Sequence, residues 1–248
     1  MKPVIIFICF LLLGSPLIST SIHDQLSAID TLYDTRNESD NIKDSLLLIE
    51  SSKNLITTKR HDYALLWRYS RSASRTPDYL IGSKKEKLNY LAKGVNYGLQ
   101  AIELYPNKIE GHYWYAISLG REAELKGIFK SLASIKPIQS SMLTILELDS
   151  QYHRAHFVLS RLYRKAPKAI SIGNPKKALE HINIALSMDP TESMYLLEKA
   201  KVLIKLKKKS KARSLLREFL KLPYKPIYFR DQFDRDKKEG QELLNKIS

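Results

Sequence analysis

Cysteine is almost absent from this 248-residue chain: Cys9 is the only one. It sits inside an N-terminal apolar run, without the small neighbours that mark a lipid-attachment cysteine. Once that run is removed, no residue remains to form a disulfide, a catalytic thiolate or a cysteine-ligated zinc site. A glycine-rich phosphate loop, a nucleophile elbow and an HExxH pair are missing as well. Acidic residues are scattered, so general acid–base chemistry has no support in the pattern. The expectation is a protein that is not an enzyme and uses no cofactor and no metal. Strand-like alternation is also lacking after residue 22, which excludes a sheet-based fold. Without disulfides, stability has to come from packing, and a chain of this length can supply it.

Present instead is positive charge. Lys and Arg total 41 against 26 Asp and Glu, a formal +15, so the surface steers toward anionic partners. Residues 1–21 read as a secretory signal peptide: Lys2, an apolar run over residues 4–13, then Gly14 and Pro16, with Ser19, Thr20 and Ser21 before the expected cleavage point. Ten apolar residues span roughly 15 Å of helix, about half a bilayer core. The alternative is an uncleaved anchor, since residues 3–22 carry no charge. An exported, periplasmic or extracytoplasmic location follows from the first reading.

Beyond residue 22, apolar side chains recur at spacings of three and four within segments separated by Pro, Gly, Asn, Asp and Ser. The segments are related to one another. Ala178, Ile182, Ala185 and Pro190 fit positions 20, 24, 27 and 32 of a tetratricopeptide unit. Counting on from Ser193 as position 1, Ala200 falls at 8, Leu203 at 11, Ala212 at 20, Leu216 at 24 and Phe219 at 27. Small residues at 8 and 20 let paired helices approach, and bulky ones at 24 and 27 fill the space to the next pair. Earlier units start with GHYWYAISL and HRAHFVLSRLY and carry insertions around TPDYLIGSKKE, ELKGIFKSLASIKP and KAPKAISIGN. The expectation is an all-α, right-handed solenoid of tetratricopeptide-type pairs with insertions between paired helices. Residues 22–57 form a degenerate first pair, 58–226 the repeats and 227–248 a C-terminal capping helix. A plain helical bundle is the competing architecture, but a bundle has no reason to repeat Ala, Ala and Pro at matching offsets.

The segments LLWRYSR, LQAIELYP, GHYWYAISLG, ILELDSQYHRAHFVLSRLYRKAP and GNPKKALEHINIALSMDP resemble the T component of tripartite ATP-independent periplasmic transporters, and they also look like the related regulator of microtubule dynamics proteins. The first resemblance implies an accessory protein that docks a transporter's substrate-binding subunit; the second implies a membrane-associated adaptor. The chain lacks a lipidation cysteine after its signal, which puts tethering by the first route in doubt.

Tetratricopeptide superhelices bind in their concave groove through positions 2, 5, 9, 12 and 13 of each first helix; the resemblance supplies that rule. It picks out Arg68, Arg75, Tyr113, Arg121, Arg154, Phe157, Arg161, Arg164, Lys165, Lys201 and Lys205. Arginine forks with aromatics between them suit a carboxylate-bearing protein or a small organic acid or lipid. The competing explanation is the solvated face of basic helices. The segment KVLIKLKKKSKARSLLREFLKLPYK is the densest basic stretch; export argues against nucleic acid, whereas an anionic membrane surface would add roughly 1 kcal/mol per basic residue near it. His153 and His156, three apart on one expected helix, lack a local third ligand and are read with His181 as structural histidines. Homo-oligomers stay open.

Overall fold

The computed structural model describes residues 21–38, 40–127 and 131–248. The expected signal peptide therefore lies outside the described residues, apart from Ser21, as does part of the insertion around residues 128–130. The described residues form helices α1 (Ile22–Asp34), α2 (Asn41–Ser51), α3 (Lys59–Tyr79), α4 (Lys84–Leu104), α5 (Ile109–Lys126) and α6 (Leu132–Leu148). They continue as α7 (His153–Lys165), α8 (Pro175–Met188), α9 (Ser193–Lys205), α10 (Lys209–Lys221) and α11 (Arg230–Ile247), with a 3-10 turn at Ser52–Leu55 after α2. None of the described helices is long and apolar enough to cross a membrane.

Local chemistry sets the helix starts. Ser21 and Ser83 each make a reciprocal capping box, with Asp24 and Glu86 respectively. Asn174 caps α8, whose first residue is Pro175, the position where a missing N–H costs nothing. Lys207 takes φ 60° in the tight turn between α9 and α10, and the next N–H, from Lys208, closes back on the Leu203 carbonyl at 2.9 Å.

Consecutive helices pack as antiparallel pairs, and the small repeat positions make the pairing possible. Ala155, Ala178, Ala185, Ala200 and Ala212 are all fully buried. α4 and α5 cross closely, and a methyl group built on Gly98 would sit 2.7 Å from the Cα of Tyr115. That neighbour is backbone and cannot turn aside, so the helices would have to separate. Gly98→Ala is expected to cost about 3 kcal/mol, at the upper end of overpacking penalties, measured as a lowered urea midpoint at unchanged m-value.

Two of the expected insertions turn out to be helical extensions more than loops. α3 runs through Pro77 as far as Tyr79, and α6 carries Pro137 within its second turn. Pro77 is the third residue from the end of α3 and Pro137 the sixth residue of α6, so each removes one intrahelical hydrogen bond near a helix end. The third insertion is a true loop, joining α7 to α8 over residues 166–174.

α11 does more than cover the end of the stack. It packs on α10 through Gly240 against Phe219, and its first turn reaches the beginning of the chain. There Tyr79 donates to Asp231, Arg36 lies 3.8 Å from Asp231, and the Arg36 guanidinium sits 3.5 Å over the Phe229 ring. Tyr33 meets Phe229 edge-on at 6.2 Å. Arg36 is 3% exposed, so this joint is a packed one. The first and last helices thus meet, and the solenoid closes into a ring.

Candidate functional site: a half-open cavity inside the helical ring

Ring closure turns the concave groove into a cavity of about 600 Å³, within the range typical of small-molecule sites. The first helices of successive pairs, α3, α5, α7 and α9, supply most of its wall, α6 another part, and α11 closes it with Gln232, Arg235, Asp236 and Glu239.

The wall is divided along the helix axes. Toward the middle and start of the lining helices it is apolar: Ala116, Ile117, Phe157, Val158, Met194 and Leu197, with Ile135 and Ile138 from α6. Toward their C-terminal ends it is charged, with Arg75, Asp78, Arg121, Glu124, Arg161, Lys165 and Lys201. Cations at helix C-termini are favoured by the backbone dipole.

These charges are not free cations waiting for a ligand. Arg121 and Arg75 both face Asp78, the second at 3.8 Å. Arg161 and Lys165 share Glu124, each at 2.7 Å. Lys201 pairs with Glu239 at 2.7 Å. Burial pushes the Glu124 carboxyl up, but the Arg161 and Lys165 charges outweigh it and hold it below its ordinary range. Burial also lowers the Lys165 ammonium, with Arg161 adding to that effect. Two carboxylates, Asp78 and Glu124, are therefore each flanked by two cations, leaving a local positive excess at two points of one wall.

Of the residues the groove rule picked out, Arg75, Tyr113, Arg121, Phe157, Arg161, Lys165 and Lys201 line the cavity. Four do not. Arg68 is turned toward the first pair, gripping both oxygens of Asp30 at 2.9 and 2.7 Å. Arg164 is a structural cation, paired through Nε and Nη2 with Glu198 at 2.6 and 2.8 Å. Arg154 lies among Tyr113 of α5, Tyr152 at the N-cap of α7 and Tyr195 of α9, and Lys205 is exposed. The expected Arg-rich groove is thus narrowed by α11 on one side, and Arg75, Arg121 and Arg161 within it already face carboxylates of the chain itself. What sequence reasoning missed is the apolar half. Ile117, Met194 and Leu197 occupy positions 9, 2 and 5 of their helices, so the same rule reaches them once it is not restricted to charged and aromatic side chains.

The histidines bridge helices. His156 Nδ1 lies 2.9 Å from His181 Nδ1, joining α7 to α8, and His153 Nδ1 is 2.8 Å from the Tyr195 hydroxyl. The pairing is thus between His156 and His181, not between the two histidines of α7. No cluster of three or more metal-ligating side chains occurs among the described residues. His181 is stacked on Tyr163, and burial followed by the neighbouring His156 pushes it down to about 4. A histidine depressed in the folded state binds fewer protons there than when unfolded. Its contribution to stability is therefore complete above about 6.5 and is lost as pH falls toward 4. His181→Phe is expected to remove on the order of 1–3 kcal/mol of that acid sensitivity. Glu192, raised to about 7 by burial, titrates with the opposite sign, so the check is the difference between variant and parent in urea midpoints at pH 7 and pH 4.5.

Comparison with known proteins adds the family. The model of the family described as Regulator of microtubule dynamics protein 1-3 matches residues 25–248. The chain belongs to that family. Regulator of microtubule dynamics protein 3 of Rattus norvegicus is 30% identical over 102 residues, which are 41% of this chain and 21% of the relative. The Bos taurus protein of the same name is 30% identical over 107 residues, 43% of this chain and 22% of the relative. The chain therefore matches about a fifth of the length of these curated relatives. Among solved structures, a thermophilic TPR protein of Thermus thermophilus superposes with a TM-score of 0.63 at 14% identity, covering 87% of this chain and 98% of the other. At that identity the likeness establishes the fold alone, an all-α helical repeat of tetratricopeptide type.

Proposed function

We propose that this member of the family is a non-catalytic binding module whose helical ring holds one small amphipathic anion, an organic acid or a single-chain lipid. The observation that carries the reading is the divided wall of the cavity: apolar side chains for a hydrocarbon body, and two carboxylates with two cations each where an anionic group would settle. A ligand anion at Arg161 and Lys165 completes their partners without breaking the pair to Glu124, because guanidinium and ammonium groups have donors to spare.

Reversing the charges with Arg161→Glu and Lys165→Glu is expected to weaken binding of a fluorescent fatty acid at least about 10-fold, in line with the cost of truncated charge pairs. Both side chains are partly exposed, so the variant should fold. Affinity equal to the parent would sink the assignment.

A protein partner remains part of the proposal, but on the outer surface, since α11 walls off one side of the groove. Service beside a transporter's substrate-binding subunit, or an adaptor role in the microtubule dynamics that the relatives' name refers to, would use that surface. A cross-linked partner recovered in a pull-down and lost on outer-surface charge reversal is the matching test. Export remains part of the reading too: N-terminal sequencing of the mature chain should begin near residue 22, and an intact Met1 would contradict it.

A further inference from the structure

The positive charge of the chain is unevenly spread. Between residues 199 and 225 there are eleven Lys and Arg and a single acidic residue, Glu218. Among the described residues only Lys201 of this set forms an ion pair. On α10 the side chains of Arg213, Arg217 and Lys221, with the Glu218 carboxylate and the hydroxyls of Ser210 and Ser214, line one shallow depression of the surface. Immediately after Lys221 the chain enters the loop between α10 and α11, and there Ile227 stands 83% exposed, between Lys225 and Arg230.

That exposure is built into the loop. Pro223 and Pro226 fix the backbone. The Tyr224 hydroxyl donates to the Tyr228 carbonyl at 2.8 Å, the Tyr228 hydroxyl donates to Asp189 at 2.5 Å, and Lys225 reaches Thr191 at 3.1 Å. The loop is thus tied to the α8–α9 turn from both flanks, with Ile227 directed outward.

We infer that α10 and the loop at Ile227 form a docking face for the anionic surface of a lipid bilayer. Lysine ammonium groups are hydrated point charges suited to a diffuse layer of phosphate and carboxylate headgroups, whereas recognition of single phosphates favours arginine forks. An apolar side chain held proud within a basic surround is what an interface between headgroups and acyl chains accepts. A soluble polyanion would use the charges and leave Ile227 without a purpose.

The proposal stands apart from the cavity reading and is tested separately, by co-sedimentation with vesicles of phosphatidylcholine with or without 30 mol% phosphatidylserine, using the chain from Ser21, where the described fold begins. Binding is expected to require phosphatidylserine and to fall with salt. Arg217→Glu with Lys221→Glu, and separately Ile227→Asp, should each weaken it at least about 10-fold. All three residues are exposed, so circular dichroism and melting temperature should not change. Gly120→Leu, which fills the cavity, should bind vesicles as the parent does, whatever becomes of its ligand. Equal binding to phosphatidylcholine alone, or parental affinity in the charge-reversed chain, would overturn the inference. So would parental affinity in Ile227→Asp, which would leave a face for soluble polyanions.

Discussion

Replacing Gly120 by leucine is expected to abolish ligand retention, by a factor of at least about 10, while making the protein more stable. Gly120 lies in α5 and lines the cavity, and a Cβ built there meets only the Ile138 Cδ1 atom, at 3.7 Å. A leucine side chain therefore enters space that is open in the unliganded ring. Glycine in a helix interior is about 1 kcal/mol worse than a good helix former, so the substitution should stabilise the chain by up to about that amount. Opposite signs for binding and stability separate cavity filling from misfolding, because a damaged fold loses both. Fluorescent-ligand titration beside a urea melt reads the two quantities in one preparation.

Arg164→Ala is expected to do the reverse, costing about 3–5 kcal/mol of stability, the usual penalty for removing one partner of a buried ion pair. Glu198 is 2% exposed and lies at the end of two hydrogen bonds from Arg164. Truncating the arginine strands a carboxylate between α7 and α9, where water enters poorly. In a domain of this size the loss corresponds to a melting temperature lower by on the order of 10 °C. The double variant Arg164→Met with Glu198→Leu should recover most of it, since a buried pair replaced by apolar groups is often neutral. A groove-binding role for Arg164 predicts instead weaker ligand binding in a chain of normal stability.

The contrast between these two positions shows what was legible in the sequence. The repeat was readable because its signal is local: Ala200, Ala212 and Leu216 are fully buried at the offsets read as 8, 20 and 24, and α9 begins at the Ser193 counted as position 1. Helix type and pairing follow from such spacing alone. The cavity was half readable. Position rules locate Arg121, Phe157 and Arg161, but a search for charged and aromatic residues passes over Ile117, Met194 and Leu197, so an amphipathic chamber looks like a cationic groove. Asp78, Glu124 and Glu198 hold most of those cations; apart from Arg75, three residues before Asp78, their partners lie 34 to 43 residues away and have no spacing that announces the pairing.

Ring closure was not readable at all. Tyr79 and Asp231 are separated by 152 residues, and the Arg36 guanidinium finds the Phe229 ring across a still longer stretch. No periodic pattern encodes such a contact. It depends on the summed curvature of every helix pair between them, and on two proline-containing extensions, at Pro77 and Pro137, that lengthen α3 and α6. The basic stretch of α10 shows the same limit from the other side. Its amphipathic spacing explains the helix, but the outward pose of Ile227 depends on hydrogen bonds to the α8–α9 turn.

The most direct test of the central claim is native mass spectrometry of the chain from Ser21 after incubation with a single-chain anionic lipid, run side by side with Gly120→Leu. The parent should carry one ligand per chain and the variant none. An apo mass for the parent, or the same one-to-one adduct in both, would contradict a ligand chamber inside the ring.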